Sequence, residues 1–233
     1  MQINPELLEK IVTEVLAEME AGARAGEVSS TVSASTVATS SVATSTVAEE
    51  PAGLLLQEKG AASRGSDPKE IVLAVTPAFG TTFKTTIVKI PHSAVLRQVF
   101  AGAEEEGLHV RAIRVYHTAD VAFMAHHAAR ISGSGIGIGI LSRGTAVIHQ
   151  RDLNPLSNLE LFPQSPVIDL PTFRAIGKNA AKYAKGETPT PVPTKNDPMA
   201  RPRYQGLAAL LHNKEAAFQE RSKAPQELSV SFE

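Results

Sequence analysis

The 233-residue sequence contains no cysteine, which excludes a disulfide framework, a thiolate metal site and a cysteine nucleophile; it also fits a reducing compartment. Tryptophan is absent and aromatic residues make up only 5%, so any core has to be aliphatic. A dominant charge is missing too: the formal net charge is −1, which leaves no electrostatic footprint for nucleic acid or an anionic membrane. No apolar run approaches the roughly 18 residues a membrane span requires, and the opening MQINPELLEK lacks the basic start and apolar run of a secretory leader. The expectation is a soluble, cytoplasmic chain.

What is present falls into three compositions. In Asn4–Glu20 the apolar residues Leu8, Ile11, Val12, Val15 and Met19 make one helical stripe, with Asn4 placed to cap and Pro5 at the first helical position. Residues 1–20 therefore read as an amphipathic helix. Residues 21–66 are dominated by Ser, Thr, Ala and Val in near-repeats of Ser-Thr-Val-Ala and read as a flexible linker, with GLLLQ (53–57) as an isolated contact. A short helix on such a tether cannot bury its own stripe locally and needs a partner surface.

The compact part, residues 67–233, starts with strand patterns at Ile71–Val75 and Thr85–Ile90. A helix capped near Ser93 follows, with Val95, Leu96, Val99 and Phe100 on one face and Gly107 beyond its end. Then come a strand at His109–Tyr116, a helix at Thr118–Ser132, strands at Gly135–Leu141 and Thr145–His149, and a helix at Leu170–Glu187. A Pro-studded arm leads to a short helix at Leu207–Phe218. Strands alternating with helices predict an α/β fold: a Rossmann-like, largely parallel sheet flanked by helices.

The stretch RISGSGIGIGILSRGTAVIHQ (130–150) places glycine at 133, 135, 137 and 139. A dinucleotide loop needs glycine at offsets 0, 2 and 5, yet the third position falls on Ile138 or Ile140, and no Lys-Ser/Thr follows as a P-loop requires. The period is two, that of a strand. Ser134, Ile136, Ile138 and Ile140 face one way; Gly135, Gly137 and Gly139 strip the other face to backbone. Either a helix packs tightly there, or a broad ligand or partner chain lies against it. Asp120 at a helix start reads as a capping or dipole carboxylate, Arg143 as a turn residue, and Pro155–Pro166 as a packed loop of the sort that positions ligands. His126 and His127 are adjacent and point to different helix faces, so they are no metal pair, and neither H-E-x-x-H nor G-x-S-x-G occurs. No acid/base pair or nucleophile emerges. In an enzyme, the chemistry would sit on another chain.

The segments AVTPAFG, IPHSAVLRQVFAGAEEEG, TADVAFMA, RISGSGIGIGILSRGTAVIHQ, PLSNLELFPQSP, RAIGKNAAKYAKGE and PVPTKNDPMARPRYQ together closely resemble the medium (beta) subunit of adenosylcobalamin-dependent diol and glycerol dehydratases. The resemblance runs from about Pro68 almost to the C-terminus, and Asn4–Glu20 resembles the family's N-terminal extension. It implies a heterohexamer of large, medium and small subunits converting 1,2-propanediol to propionaldehyde and glycerol to 3-hydroxypropionaldehyde. The chain would be a non-catalytic subunit holding adenosylcobalamin against the large subunit. The base-on cofactor keeps its own benzimidazole on cobalt, in keeping with the absence of a D-x-H-x-x-G motif. By motif, the implied cofactor contacts are Asp120, Ser132, Gly133, Ser134, Gly135, Arg143 (the family typically has Lys), Asn158 and Pro163. On this reading the stripped face of the glycine strand is what lets the corrin approach. The N-terminal helix resembles an encapsulation sequence, which implies shell proteins of a bacterial microcompartment as partners and its lumen as the location. The reactivating factor is a further implied partner. Its small subunit, a cofactor-exchange chaperone of related fold, is the alternative identity, against which the GSGIGIGI and SNLELFPQ blocks argue. A nicotinamide dehydrogenase fails on the glycine spacing.

Overall fold

Six consecutive buried residues, Glu70–Val75, form the strand around which the rest is arranged. Burial on both faces is what an apolar run in a helix-covered parallel sheet requires. The computed structural model describes residues 53–193 and 195–232; the helix expected within 1–20, and the linker as far as residue 52, lie outside the described residues. Seven strands, β1 (Leu54–Ala61), β2 (Glu70–Val75), β3 (His109–Arg114), β4 (Ile136–Ile140), β5 (Ala146–Gln150), β6 (Glu160–Phe162) and β7 (Gln226–Phe232), lie in the order β1-β7-β3-β2-β4-β5-β6. The helices are α1 (His92–Glu105), α2 (Val121–Ile131), α3 (Leu170–Ala184) and α4 (Ala200–Ala216).

The expected alternation is present, but the sheet is mixed rather than largely parallel. Only β2 with β3 and β2 with β4 pair in parallel; β1–β7, β3–β7, β4–β5 and β5–β6 are antiparallel. Chain length decides this. The link from β4 to β5 is a turn closed by the Leu141 amide donating to the Thr145 carbonyl at 3.0 Å, with Gly144 at φ +107°. It is far too short for the crossover that parallel strands need.

Three further expectations give way. Thr85–Ile90 is no strand: Lys89 sits at φ 67°, its amide donates to the Thr86 carbonyl at 2.9 Å and the Thr86 amide to the Ile90 carbonyl at 2.8 Å. The segment thus meets its own hydrogen-bonding needs by turning on itself. Leu54–Ala61, placed in the linker by composition, is an edge strand paired with β7 from Leu54 opposite Phe232 to Ala61 opposite Gln226, with a register shift between Glu58 and Gly60. Within Pro155–Pro166, residues 160–162 form β6 on the opposite edge.

Helices α1 and α3 cover one face of the sheet, where Ile71, Leu73, Ile136, Ile138, Val95, Leu96, Phe173 and Ile176 share one core. The two helices cross at glycines: a Cβ on Gly102 would meet the Arg174 backbone, and one on Gly177 the Val99 backbone, both closer than 3.0 Å. Helix α2 lies on the other face, over Val72, Ala74, Ile113 and Leu141, through Met124 and Ala128. Chain leaving β2 by way of α1 to β3, then by α2 to β4 on the far side of β2, makes the carboxyl ends of β2 and β4 a topological switch point.

Candidate functional site

The stripped glycine face is filled by the chain itself. A Cβ on Gly137 would press on the backbone of Ala125, Ala128 and Ala129, and one on Gly139 would lie 2.7 Å from the Val121 carbonyl oxygen. Helix α2 is therefore the bulky neighbour, and β4 is an interior strand. The expectation that a corrin lies on this face is corrected on that ground: no space remains for a ligand over Gly137 and Gly139.

The eight motif residues fall at the two ends of β4, and its five residues put those ends about 16 Å apart at strand rise. At the amino end, Ser132–Gly135 form a turn whose polar groups are met internally. Ser132 Oγ donates to the Glu70 carbonyl at 2.8 Å, and the Gly133 amide donates to Glu70 Oε1 at 3.1 Å. Arg151 donates to the carbonyls of Ser132 at 2.9 Å and Gly133 at 3.0 Å. Gly135 is required by its φ of +84°. Ser134 and Gly135 border a cleft of about 440 Å³ shared with Arg151, Tyr183 and Glu187. Asn158, just before β6, is at this end, and its buried Oδ1 has no partner among the described residues.

The other end is the switch point, and it holds Asp120, Arg143 and Pro163. Asp120 Oδ1 accepts from the amides of Ala122 at 2.8 Å and Phe123 at 3.2 Å, so it caps α2; its second oxygen has no partner among the described residues. Arg143 Nε donates to Thr145 Oγ1 at 3.0 Å, while its two terminal nitrogens find no partner among the described residues. Burial pushes this guanidinium's pKa down, partly opposed by the nearby Glu215 carboxylate. Arg143 and Pro163 line one cleft, of about 390 Å³, together with Arg201, Tyr204 and His212 of α4.

Sequence reasoning missed the residues that build this end. Glu215 on α4 is buried at 1% exposure. Its Oε1 accepts from the Ser142 amide at 2.8 Å and from the Thr76 hydroxyl, and Thr76 and Ser142 touch through their hydroxyls at 3.1 Å. A carboxylate from the C-terminal helix thus ties the ends of β2 and β4 together. His92, stacked on Phe79 at 3.8 Å, accepts from the Gly80 amide at Nδ1 (3.0 Å) and faces the Ser142 carbonyl with Nε2 (2.8 Å). This pair of contacts needs the neutral ring with its proton on Nε2, and burial holds the pKa down at about 4. No local pattern announces the contacts to Ser142 and Thr76, because their partners are 50 to 139 residues apart.

The family model for the dehydratase medium subunit matches residues 76–190, which takes in both ends of β4. Among solved structures, a chain described as glycerol dehydratase reactivase aligns at 21% identity over 54% of this chain and 96% of its own, with a TM-score of 0.43. A diol dehydratase-reactivating factor complexed with ADP and Mg2+ aligns at 26% identity over 55% of this chain and 97% of its own, with a TM-score of 0.39. These scores mark a partial likeness only.

Proposed function

Since the chain belongs to the dehydratase medium-subunit family, matched through residues 76–190, we propose that it is the medium subunit of an adenosylcobalamin-dependent propanediol dehydratase that also accepts glycerol. It works alongside large and small subunits. When bound, the coenzyme supplies the radical chemistry that removes water from the diol; this chain holds and shields it without contributing a catalytic group.

The observation that carries the proposal is the set of unmet polar groups at the family's motif positions. A corrin is rimmed by amides, which both donate and accept. The free oxygen of Asp120 accepts from such amides and the terminal nitrogens of Arg143 donate to their carbonyls. Pro163 adds an apolar wall. Ser132–Gly135, already satisfied by Glu70 and Arg151, act as a bare surface rather than as donors. Arg143 offers a planar fork where a lysine would offer a point charge.

The test is reconstitution with large and small dehydratase subunits. Omitting this chain should abolish adenosylcobalamin binding, and Asp120→Asn, which keeps the helix cap, should weaken it; unchanged coenzyme affinity in both overturns the reading. Residues 1–20 are proposed to dock the enzyme on a microcompartment shell. Their deletion should abolish co-sedimentation with shells while leaving activity intact, and unchanged co-sedimentation would refute that role.

A further inference from the structure

Three guanidiniums gather at the carboxyl end of α2, beside the amino end of β4. Arg130 stands in the last turn of the helix. Arg64 is brought in by the segment that crosses from β1 to β2, and the backbone is pinned on both sides of it. The Ala62 amide donates to the Pro225 carbonyl at 2.8 Å, and the Gly65 amide to the Ile131 carbonyl at 2.7 Å. Arg151, just past β5, is held by its donations to the Ser132 and Gly133 carbonyls. With His127 they line a cleft of about 520 Å³, in which the carboxylate is that of Asp152.

The ordinary reason for cations at such a place is the negative pole of the helix, and here that need is already met. The Ile131 carbonyl accepts from the Gly65 amide and from Arg111 at 3.3 Å, and the next two carbonyls accept from Arg151. Arg64 and Arg130 make no hydrogen bond or ion pair among the described residues, whereas Arg111, Arg114 and Arg174 each hold a carboxylate. Like charges set side by side disfavour one another unless an anion lies between them. The effect shows at His127: burial, with His117 and Arg130 beside it, holds its pKa down at about 4. At neutral pH the ring is therefore uncharged and keeps an N–H to donate. Three guanidiniums against one carboxylate leave two positive charges in the lining, which match the roughly two negative charges of a phosphate monoester. An arginine fork also fits phosphate oxygens in pairs, and the volume falls within the range of small-ligand pockets.

We infer that this cleft binds a phosphate group, with Arg64, Arg130 and Arg151 as its charged donors and His127 as a neutral one. The site is independent of the function proposed above. Asp120, Arg143 and Pro163 lie at the opposite end of β4, about 16 Å away at strand rise, and Arg64 precedes the family match, which opens at residue 76. Free phosphate and a phosphorylated small molecule carry the same chemistry to it.

Two measurements test it. In the full-length chain at pH 7, inorganic phosphate and phenyl phosphate should each shift the imidazole resonances of His127 saturably. Arg64→Gln and Arg130→Gln, both at exposed positions, should each weaken that binding about tenfold, the size of one charge-assisted hydrogen bond. Tighter binding of phenyl phosphate supports the site with an esterified phosphate as its ligand; equal or weaker binding supports it with the free ion. A His127 unmoved by both probes, or equal affinities in the variants and the parent chain, overturns it. In the three-subunit complex the same two variants should leave adenosylcobalamin affinity unchanged. A tenfold loss there would assign the cleft to the coenzyme, overturning this inference while the proposed function stands.

Discussion

At the residue scale, Gly137 and Asp120 each separate a packing role from a binding role. Gly137 has no Cβ because the backbone of α2 occupies that space. Replacing it with alanine overpacks the sheet and should cost about 1–3 kcal/mol, measured by urea unfolding; a loss below about 0.5 kcal/mol would mean that the helix is not seated there. Asp120 closes the first turn of α2 with two amide hydrogen bonds. Asp120→Ala should lower stability by about 1 kcal/mol, whereas Asp120→Asn, an equally good cap, should leave it unchanged. A fall in coenzyme affinity in the asparagine variant then reports binding alone. The capping role was legible in the sequence from a carboxylate before an apolar helical run. The unpaired Oδ1 of Asn158 was not, because only the fold around it removes its water.

Among the elements, α4 is tied down by one buried carboxylate, whereas α3, packed on α1 and the sheet, is capped by a partly exposed one. Glu215→Ala leaves the buried Ser142 amide without its acceptor; about 2 kcal/mol should be lost and limited proteolysis should cut sooner between residues 188 and 216. Cleavage at the original rate would show that α4 is held some other way. Asp169 caps α3 through the Thr172 amide at 3.0 Å and pairs with Lys195. Against the cost of burial, these contacts hold its pKa down at about 2, from 3.8 in the free side chain. Its contribution is therefore fully present above about pH 4 and is lost as pH falls toward 2. Asp169→Asn should flatten that acid limb of a thermal-unfolding series, and an unaltered limb would place it elsewhere. Helices α1 to α3 were legible because each shows a cap or a 3.6-residue stripe; α4 was read only from Leu207, with its first turns taken for an extended arm, because Ala200–Ala216 carries neither a side-chain cap nor an apolar stripe. β1 and β7 were not legible, since each is half-exposed and finds its partner at the other end of the described chain.

Across the whole molecule, histidines kept neutral weaken stability as pH falls from 6.5 to 4. Burial lowers the pKa of His92 and of His127 to about 4, with His117 and Arg130 adding to the effect at His127. Near pH 6.5 and below, the unfolded chain takes up protons that the fold refuses, so stability is complete above that value and falls as pH drops from 6.5 to 4. For His92 this amounts to about 2–3 kcal/mol, and His92→Leu should remove it from urea midpoints compared at pH 7 and 4.5. An identical pH dependence in the variant would exclude His92 as the source. No described helix is long and apolar enough to cross a membrane.

Composition and periodicity determined the helices α1 to α3, that an aliphatic α/β core forms, and that the glycine run is a strand and no phosphate loop. These follow from local rules: side-chain period, capping and hydrophobic patterning act within a few residues. Tertiary structure alone decided that the sheet is mixed, that α2 fills the glycine face, and that Glu215 closes the switch point. Each depends on which distant segment comes to lie against which, and that choice is made by the competition for buried surface across the entire sheet.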